Sequence, residues 1–544
     1  MPNPVAEDVN RGTASVFSDV GSSAVTQVLV VLANLATLRL AASLMTPEQV
    51  GEYALVRRLL VFLAPMLLLG LGVGLPRTLG RARQDPQYVG VIALAGGALG
   101  ISVATLTALL LVLFPGAMAR LLFGAREHAR LVELLAPLVF GHQLFLVAYG
   151  VLRGELRIRH ANALQLVVIG LLPVMAVATV GRRGVETVLL TLGLVTSVLG
   201  TIAALRVCTT AIRRAALQRW RGALRELATY SAPRVPGELA LTGLYALGPI
   251  LAAHELDLGA AGLLAIGVSL ITVLSSAFVP LGVALLPRMS WMFAAAGREG
   301  LQRRLPLLCG LSLYCAALLA IACSVFGNTW LRWMLGDGFQ LDATALVLLA
   351  LAAAGNVVFV VLRSVLDAAF VRPINALHAS IALACMLAAW FGGRAWLARS
   401  PFIVICAAIA TAFTVLASLT ALAIWKRCGL RLRFTAVLQW CATTVVATLT
   451  ALALRRSLGD AGTLAALGGQ IALVAVWLVT LAVLRVRWPF ELAGALFGRL
   501  RPRIARTSDA PPAVPVPTRH VLCTTERDEE VPAPAPEVIR ELHS

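Results

Sequence analysis

Long apolar runs follow one another along nearly the whole chain, and they restrict its fold more than any other feature. We identify about fourteen runs long enough for a helix that crosses a bilayer. Hydrophobic residues make up 59% of the 544 residues and charged residues 13%, against about 25% charge in soluble domains. The sequence therefore predicts an all-α polytopic membrane protein, with spans near residues 20–44, 53–75, 89–114, 131–151, 162–180, 187–207, 230–253, 261–287, 305–326, 343–366, 374–397, 401–425, 435–454 and 463–484.

The second apolar span and its flanks recur about 210 residues later in the chain. Gly51 lies 25 positions before Pro76, which is followed by Arg77. Gly262 lies 25 positions before Pro287, which is followed by Arg288. Further matches follow in register, among them Val151-Leu152-Arg153 with Val361-Leu362-Arg363. Six spans per copy is an even number, so both copies keep the same orientation in the bilayer. The repeat predicts two parallel-repeat six-helix lobes, related by an axis along the membrane normal, and two C-terminal helices.

The repeat and the charged stretches divide the chain into six predicted segments. The first 19 residues are polar and carry acids, so we expect no cleavable signal peptide and an uncleaved first span. Residues 208–229, which we call the linker, have an apolar helical face with arginines elsewhere. This pattern favours a helix at the membrane surface. The segments are a cytoplasmic N-terminal segment 1–19, an N-lobe 20–207, a basic amphipathic linker 208–229, a C-lobe 230–425, two helices within 426–484, and a basic, then proline-rich, disordered tail 485–544.

The net charge of +19 comes almost wholly from arginine, since Lys426 is the only lysine. Most of these bases lie in short loops between spans, where membrane topology and anionic lipid explain them better than nucleic acid does. Their distribution predicts that both termini lie in the cytoplasm. The nine cysteines form no CxxC pair, so neither a metal site nor a disulfide framework is expected.

Ionisable groups inside the spans are the candidate functional residues, because each is costly in a bilayer unless it faces water or a partner. Arginine binds phosphate through two parallel hydrogen bonds, so the excess of arginine over acids favours an anionic cargo. Snorkelling to the interface is an open alternative for Arg39, and a helical ion pair for Arg234 with Glu238. The candidate ligands of an anionic headgroup are Arg39, Arg57, Arg58 and Arg234, and the candidate ion-coupling acids are Glu238 and Asp367.

No catalytic constellation is present, since the sequence lacks HExxH, P-loop and GxSxG motifs. We therefore expect no enzyme, no catalytic residue and no cofactor. Arg153 and Arg363 end matching spans, and simple positive-inside anchoring is the stronger explanation for both.

Four stretches resemble the bacterial polysaccharide flippases, which translocate O-antigen and exopolysaccharide repeat units. They are LMTPEQVGEY at 44–53, GLGVGLPR at 70–77, YSAP at 230–233 and LGDGF at 335–339. These flippases belong to the multidrug/oligosaccharidyl-lipid/polysaccharide (MOP) exporter superfamily. The resemblance implies an undecaprenyl-diphosphate-linked oligosaccharide that crosses from the inner to the outer leaflet for surface polysaccharide biosynthesis. It also implies alternating access between two lobes, a proton or sodium gradient as a candidate driving force, and Arg39 with the arginines of the second span as cationic cavity residues.

Other functions stay open at this stage. A lipid II flippase or a drug/cation antiporter of the same superfamily would share the architecture, although an antiporter needs deep acids and only Glu238 offers one. A membrane-embedded polysaccharide polymerase or ligase belongs to a different class, and the short external loops speak against it. An accessory role through the proline-rich tail is a further alternative. The expected partners are the lipid-linked oligosaccharide and membrane lipids, with polymerase and assembly proteins as candidates.

Overall fold

The computed structural model describes residues 4–82, 85–276, 278–336, 339–369, 374–396, 400–428, 434–458 and 462–486. Within these ranges the chain is helical, with no strand, which confirms the all-α polytopic prediction. Thirteen helices are long and apolar enough to cross a membrane. One more helix, Pro47–Leu67, has 21 residues but carries several charges. The predicted tail lies outside the described residues from position 487 onward.

The helices of the N-terminal half begin and end close to the predicted spans. The helix α1 starts at Pro4, so residues 4–19 of the predicted N-terminal segment extend the first span as helix. A π-helical turn at Leu166–Leu171 joins α7 to α8 within one span. The bounds are α1 Pro4–Leu44, α2 Pro47–Leu67, α3 Leu71–Arg81, α4 Pro86–Leu113, α5 Pro115–Phe123, α6 Ala129–Gly154, α7 Ile158–Gln165, α8 Leu172–Val180 and α9 Val185–Ile212.

The C-terminal half follows after a short linker helix. We call the end of the bundle that holds Leu44 the outer end and the end that holds Arg81 the inner end, in keeping with the predicted orientation. The bounds are α10 Trp220–Ser231, α11 Val235–Glu255, α12 Leu258–Ser276, α13 Val279–Leu335, α14 Ala343–Ala369, α15 Ile374–Trp396, α16 Pro401–Cys428, α17 Phe434–Leu458 and α18 Thr463–Val483.

Two spans that were predicted as continuous helices are wrong, because each is interrupted in the structure. The span 53–75 stops at the end of α2 and resumes at α3, and the span 261–287 stops at the end of α12. In the first case Pro65 removes a backbone donor, and Leu69 and Gly70 take positive φ values of 49° and 73°, which end the helix. The predicted loop between 287 and 305 is also wrong, since these residues are helical within α13.

The linker helix α10 packs against α3 and α4 of the N-terminal half. Its Ala223 and Leu227 are buried, whereas Arg221 and Arg225 are exposed, as the amphipathic pattern predicts. The linker differs from the prediction at its start, because α9 continues to Ile212. The division of the chain into lobes stays a prediction.

Polar contacts fasten the linker to the start of α4. The Tyr88 hydroxyl donates to Glu226 over 2.7 Å, and Arg219 forms an ion pair with Asp85. A hydrogen bond from the Tyr88 amide, together with the Arg219 guanidinium, holds the pKa of the Asp85 carboxyl below its usual range. A 3-10 turn at Ala232–Arg234 then leads from the linker into α11. This turn therefore connects α11 to a linker that is fastened to the N-terminal half.

Candidate functional site

The helices α2 and α12, which are equivalent in the repeat, meet at two equivalent glycines near the outer end. A Cβ built on Gly262 would lie only 2.1 Å from the Gly51 Cα, so the two backbones are in direct contact. Residues that correspond in the two copies can touch only where the local two-fold axis passes between them. The contact therefore packs α2 of the N-terminal half directly against α12 of the C-terminal half.

Arg57 lies on α2 below this contact and faces α1. Its Nη2 donates to the Asn34 Oδ1 over 2.9 Å, and its Nη1 donates to the Tyr53 hydroxyl over 3.4 Å. The guanidinium is also close enough to His142 of α6 to interact with it electrostatically. Arg57 is half-buried and is held within the N-terminal half.

Arg58 faces the opposite way and reaches the C-terminal half. Its Nη2 donates to the Ser269 Oγ over 2.8 Å and to the Thr272 Oγ1 over 3.3 Å, both on α12. Ser269 lies 211 positions after Arg58, the same offset that relates Gly51 to Gly262. Neighbouring helical residues diverge by about 100°, which explains why the two arginines reach different halves. Within the described residues neither arginine forms an ion pair with a carboxylate.

A buried polar chain continues from this site into the C-terminal half. The Tyr245 hydroxyl donates to the Asn356 Oδ1 over 2.7 Å, and the Asn356 Nδ2 donates to the Ser275 Oγ over 2.6 Å. Ser275 lies about one turn after Thr272 on α12, next to the residues that bind Arg58. Sequence reasoning missed Ser269, Thr272 and Tyr245. The helical spacing of hydroxyl residues at 269, 272 and 275 along α12 was the signal that could have found the first two.

Arg39 makes a different kind of contact from the other candidates. Its Nη1 donates to the carbonyl oxygens of Trp333 and Met334 over 2.7 and 3.1 Å. These carbonyls belong to the last turn of α13, where a helix has unsatisfied acceptors and a partial negative charge. Arg39 thus joins α1 of the N-terminal half to the end of α13 in the C-terminal half, at the outer end.

We expect Arg39→Ala to loosen the last turn of α13. A cation at a helix C-terminus contributes about 0.3–1 kcal/mol, so hydrogen exchange of the amides of residues 331–335 should quicken by about two- to fivefold. Arg39→Lys should give an intermediate rate, because lysine keeps the charge but loses the planar fork. Hydrogen exchange with mass spectrometry measures this. Unchanged exchange with lost export would mean instead that Arg39 contacts the cargo.

Further contacts close the outer end between the two halves. The His254 Nε2 of α11 lies 3.1 Å from the Leu121 carbonyl oxygen of α5, and Gly124 packs against the His254 backbone. Below them α2 packs against α11. The equivalent pair α1 and α12 makes at most marginal contact over the described residues. The two halves therefore pack together along α2 and α11, whereas α1 packs against α13 of the C-terminal half instead of α12.

The remaining candidates lie toward the inner end. Arg234 donates to the Tyr230 carbonyl oxygen over 2.6 Å, and its guanidinium carbon lies 3.6 Å from the centre of the Tyr230 ring. Arg77 of α3 lies 4.1 Å from the same ring. The open alternative of an ion pair between Arg234 and Glu238 is not formed, because the 3-10 turn folds Arg234 back onto Tyr230. Asp367 lies in the last turn of α14, and its side chain is outside the described part.

Comparison with known proteins places this geometry in a known fold. No protein-family model matches the sequence, and no curated protein matches it. Among solved structures, the lipid II flippase MurJ in an inward closed conformation matches 89% of this chain and 99% of its own, with a TM-score of 0.67 and 9% identity. An inward-facing multidrug resistance MATE transporter of the MOP superfamily matches 75% and 98%, with a TM-score of 0.59 and 16% identity.

The eukaryotic MATE transporter AtDTX14 matches 75% of this chain and 96% of its own, with a TM-score of 0.52 and 15% identity. The chain shares the fold of these transporters. At such low identities the likeness concerns the fold alone. Together with the apolar helices of the described residues, it makes this chain a multi-pass membrane protein with the fold of these transporters.

Proposed function

We propose that this protein is a flippase that moves an undecaprenyl-diphosphate-linked oligosaccharide from the inner to the outer leaflet of a bacterial plasma membrane. The observation that carries the proposal is the pair Arg57 and Arg58 on α2, of which Arg57 contacts the N-terminal half and Arg58 the C-terminal half, and neither forms an ion pair in the described structure. Hydroxyl and amide oxygens satisfy part of their donors but leave both positive charges uncompensated. A diphosphate supplies the missing charge and accepts hydrogen bonds from both guanidinium groups.

We infer that α1 and α12, which make at most marginal contact, can separate and admit a lipid-linked cargo from the side. Where these helices stay apart, the polyprenyl chain can remain in the bilayer while the charged headgroup enters the cleft. A polyprenyl tail inside a polar cleft would lose the favourable burial of its apolar surface in lipid. A side opening removes that cost and leaves only the headgroup and sugars to be moved.

The contacts at the outer end fit alternating access. The Arg39 hydrogen bonds and the glycine contact between α2 and α12 hold the outer end closed, so both must break before the cargo can leave outward. Glu238 is half-buried one turn from Arg234, and with Asp367 it stays the proposed site of proton or sodium coupling. Cytoplasmic termini, a place in the bacterial inner membrane and contacts with a polymerase belong to the same proposal.

A lipid II flippase is the second candidate, because the MurJ structure aligns with more of this chain than the two MATE structures do. Lipid II also carries a diphosphate, so the arginines fit either cargo. The two cargoes differ in the saccharide that the diphosphate carries. A cationic drug fits less well, since it would have to approach two uncompensated guanidinium groups.

Deletion of the gene tests the proposal. We expect undecaprenyl-linked repeat units to accumulate on the cytoplasmic face and surface polysaccharide to disappear, with normal growth of the cell wall. Surface polysaccharide would be measured by gel and mass spectrometry, and the side of the lipid-linked pool by its access to an impermeant periodate reagent. Normal polysaccharide with arrested wall synthesis would favour lipid II, and normal levels of both would contradict the proposal.

A further inference from the structure

The two most buried spans, α6 and α14, each expose an arginine near the inner end. In α6 the only exposed residues are Arg130, at the outer end, and Arg153. In α14 Arg363 is the only exposed residue between positions 352 and 366. Both arginines occupy matching positions of the repeat. An arginine that only anchors a helix needs neither a buried helix nor a symmetric counterpart.

Each of these arginines lies over an aromatic ring one turn earlier in its helix. The Arg153 guanidinium carbon is 5.6 Å from the centre of the Tyr149 ring, and that of Arg363 is 5.8 Å from the centre of the Phe359 ring. A cation–π contact at this distance attracts the guanidinium toward the ring and leaves its N–H groups free for a ligand. Among the described residues neither arginine forms an ion pair with a carboxylate.

The face of α6 that carries Arg153 is turned toward the cleft helices. Helical spacing places His142, Tyr149 and Arg153 on one face. Along this face His142 interacts with Arg57 of α2, and the Tyr149 hydroxyl donates to Gln165 over 3.2 Å. None of the large apolar side chains of α6 is exposed, so α6 has no lipid-facing side on which Arg153 could lie.

The equivalent face of α14 is likewise turned toward the neighbouring helices α11 and α12 of its own half. It carries Asn356, Phe359 and Arg363, and Asn356 bonds to Tyr245 of α11 and Ser275 of α12. The helices α11 and α12 correspond to α1 and α2 in the repeat. Both exposed arginines are therefore on the cleft side of the central helix in their half.

We propose that Arg153 and Arg363 form a second anion site at the inner mouth of the cleft, which holds the diphosphate of the cargo before it reaches Arg57 and Arg58. This inference rests on the proposed function. The eleven residues from His142 to Arg153 correspond to about 16 Å of helix, so the two sites are about half a bilayer core apart. The diphosphate enters at the mouth, where water still solvates it, and moves inward along one polar face.

Binding of a radiolabelled isoprenyl diphosphate to the purified full-length protein in nanodiscs tests the second site. With farnesyl diphosphate as the probe, we expect two bound molecules per chain for the unmodified protein and one for the double variant Arg153→Ala with Arg363→Ala. Arg58→Ala should also bind one, at the mouth. The double lysine variant should keep the second molecule at about tenfold lower affinity, because lysine cannot bind bidentately.

Arg206→Ala is the matched control, since Arg206 is an exposed inner-end arginine on α9 and its loss removes the same charge. It should bind two molecules. Unchanged binding by the Arg153→Ala, Arg363→Ala variant would overturn the inference, as would equal losses in the control. Displacement of the second molecule when phosphatidylglycerol replaces zwitterionic lipid would also overturn it, because a lipid headgroup would then be the ligand. Normal polysaccharide in the deletion strain would refute the proposed function whatever these titrations give.

Discussion

Arg58→Ala is expected to reduce export of the lipid-linked saccharide by about 10- to 100-fold while the protein remains at normal abundance in the membrane. The variant loses hydrogen bonds from a charged donor to the diphosphate, and such bonds contribute about 1.5–3 kcal/mol each, against about 1.4 kcal/mol per factor of ten. Arg58→Lys should recover part of the activity. The measurement is surface polysaccharide per unit of flippase in the complemented deletion strain.

Stability separates this loss of function from misfolding. An uncompensated arginine near the centre of a span costs about 2.5–3.5 kcal/mol on insertion scales. Arg58→Ala should therefore melt at the same or a higher temperature than the unmodified protein, even though its hydrogen bonds to Ser269 and Thr272 are lost. Arg206→Ala is the control variant and should export as the unmodified protein does. Full export by Arg58→Ala would contradict the role of Arg58 in cargo binding.

The second large effect is expected for Gly262→Ala. The added Cβ would lie 2.1 Å from the Gly51 Cα and 2.8 Å from its carbonyl oxygen, and a methyl group cannot rotate away. The helices α2 and α12 must then move apart, and the outer end loses its closed state. We expect export to fall about 5- to 150-fold, if the closed state loses the ~1–3 kcal/mol that core overpacking costs. Labelling of Met45→Cys, whose parent side chain is buried at the outer end, should become faster with an impermeant maleimide.

Gly468→Ala is a suitable control, because a Cβ at this position of α18 meets nothing within 4 Å. Alanine also favours helix over glycine by about 1 kcal/mol, so this variant should export and label as the unmodified protein does. Labelling of each glycine variant without Met45→Cys gives the background from native cysteines. Wild-type export by Gly262→Ala would mean that transport does not use the closed outer end.

Apolar length predicted most of the helices because a span in lipid must satisfy its own backbone. The observed α9 and α16 extend only a few residues beyond the predicted ranges 187–207 and 401–425. The breaks after α2 and α12 escaped prediction, since an apolar run keeps its hydropathy when its backbone turns. The helix across 288–304 escaped it for the opposite reason, because polar residues between spans resemble a loop although they have no strong helix breaker.

The candidate site was predictable only in part. The position of Arg57 and Arg58 inside a span and their divergence by about 100° follow from sequence and helix geometry. The partner of Arg58 lies 211 residues away, and only the packing of α2 against α12 brings it close. The acceptors of Arg39 are backbone carbonyls, which every residue has, so no residue type could indicate them. From sequence, Arg153 and Arg363 were interpreted as positive-inside anchors. Their helices are buried by tertiary packing, which the sequence does not show.

The glycine contact between α2 and α12 has a consequence for the origin of the chain. In a dimer of two identical six-span subunits, the ancestral residue at this position would have met its own copy across the symmetry axis. A larger side chain at this position would then have been present in both subunits at the same point of contact, and the steric penalty would have doubled. A fusion of two such genes would separate the positions and let them diverge, yet Gly51 and Gly262 are identical. On such a history the geometry of the joint would precede the fusion, and the arginine and serine about two turns further on, at 58 and 269, would have diverged after it.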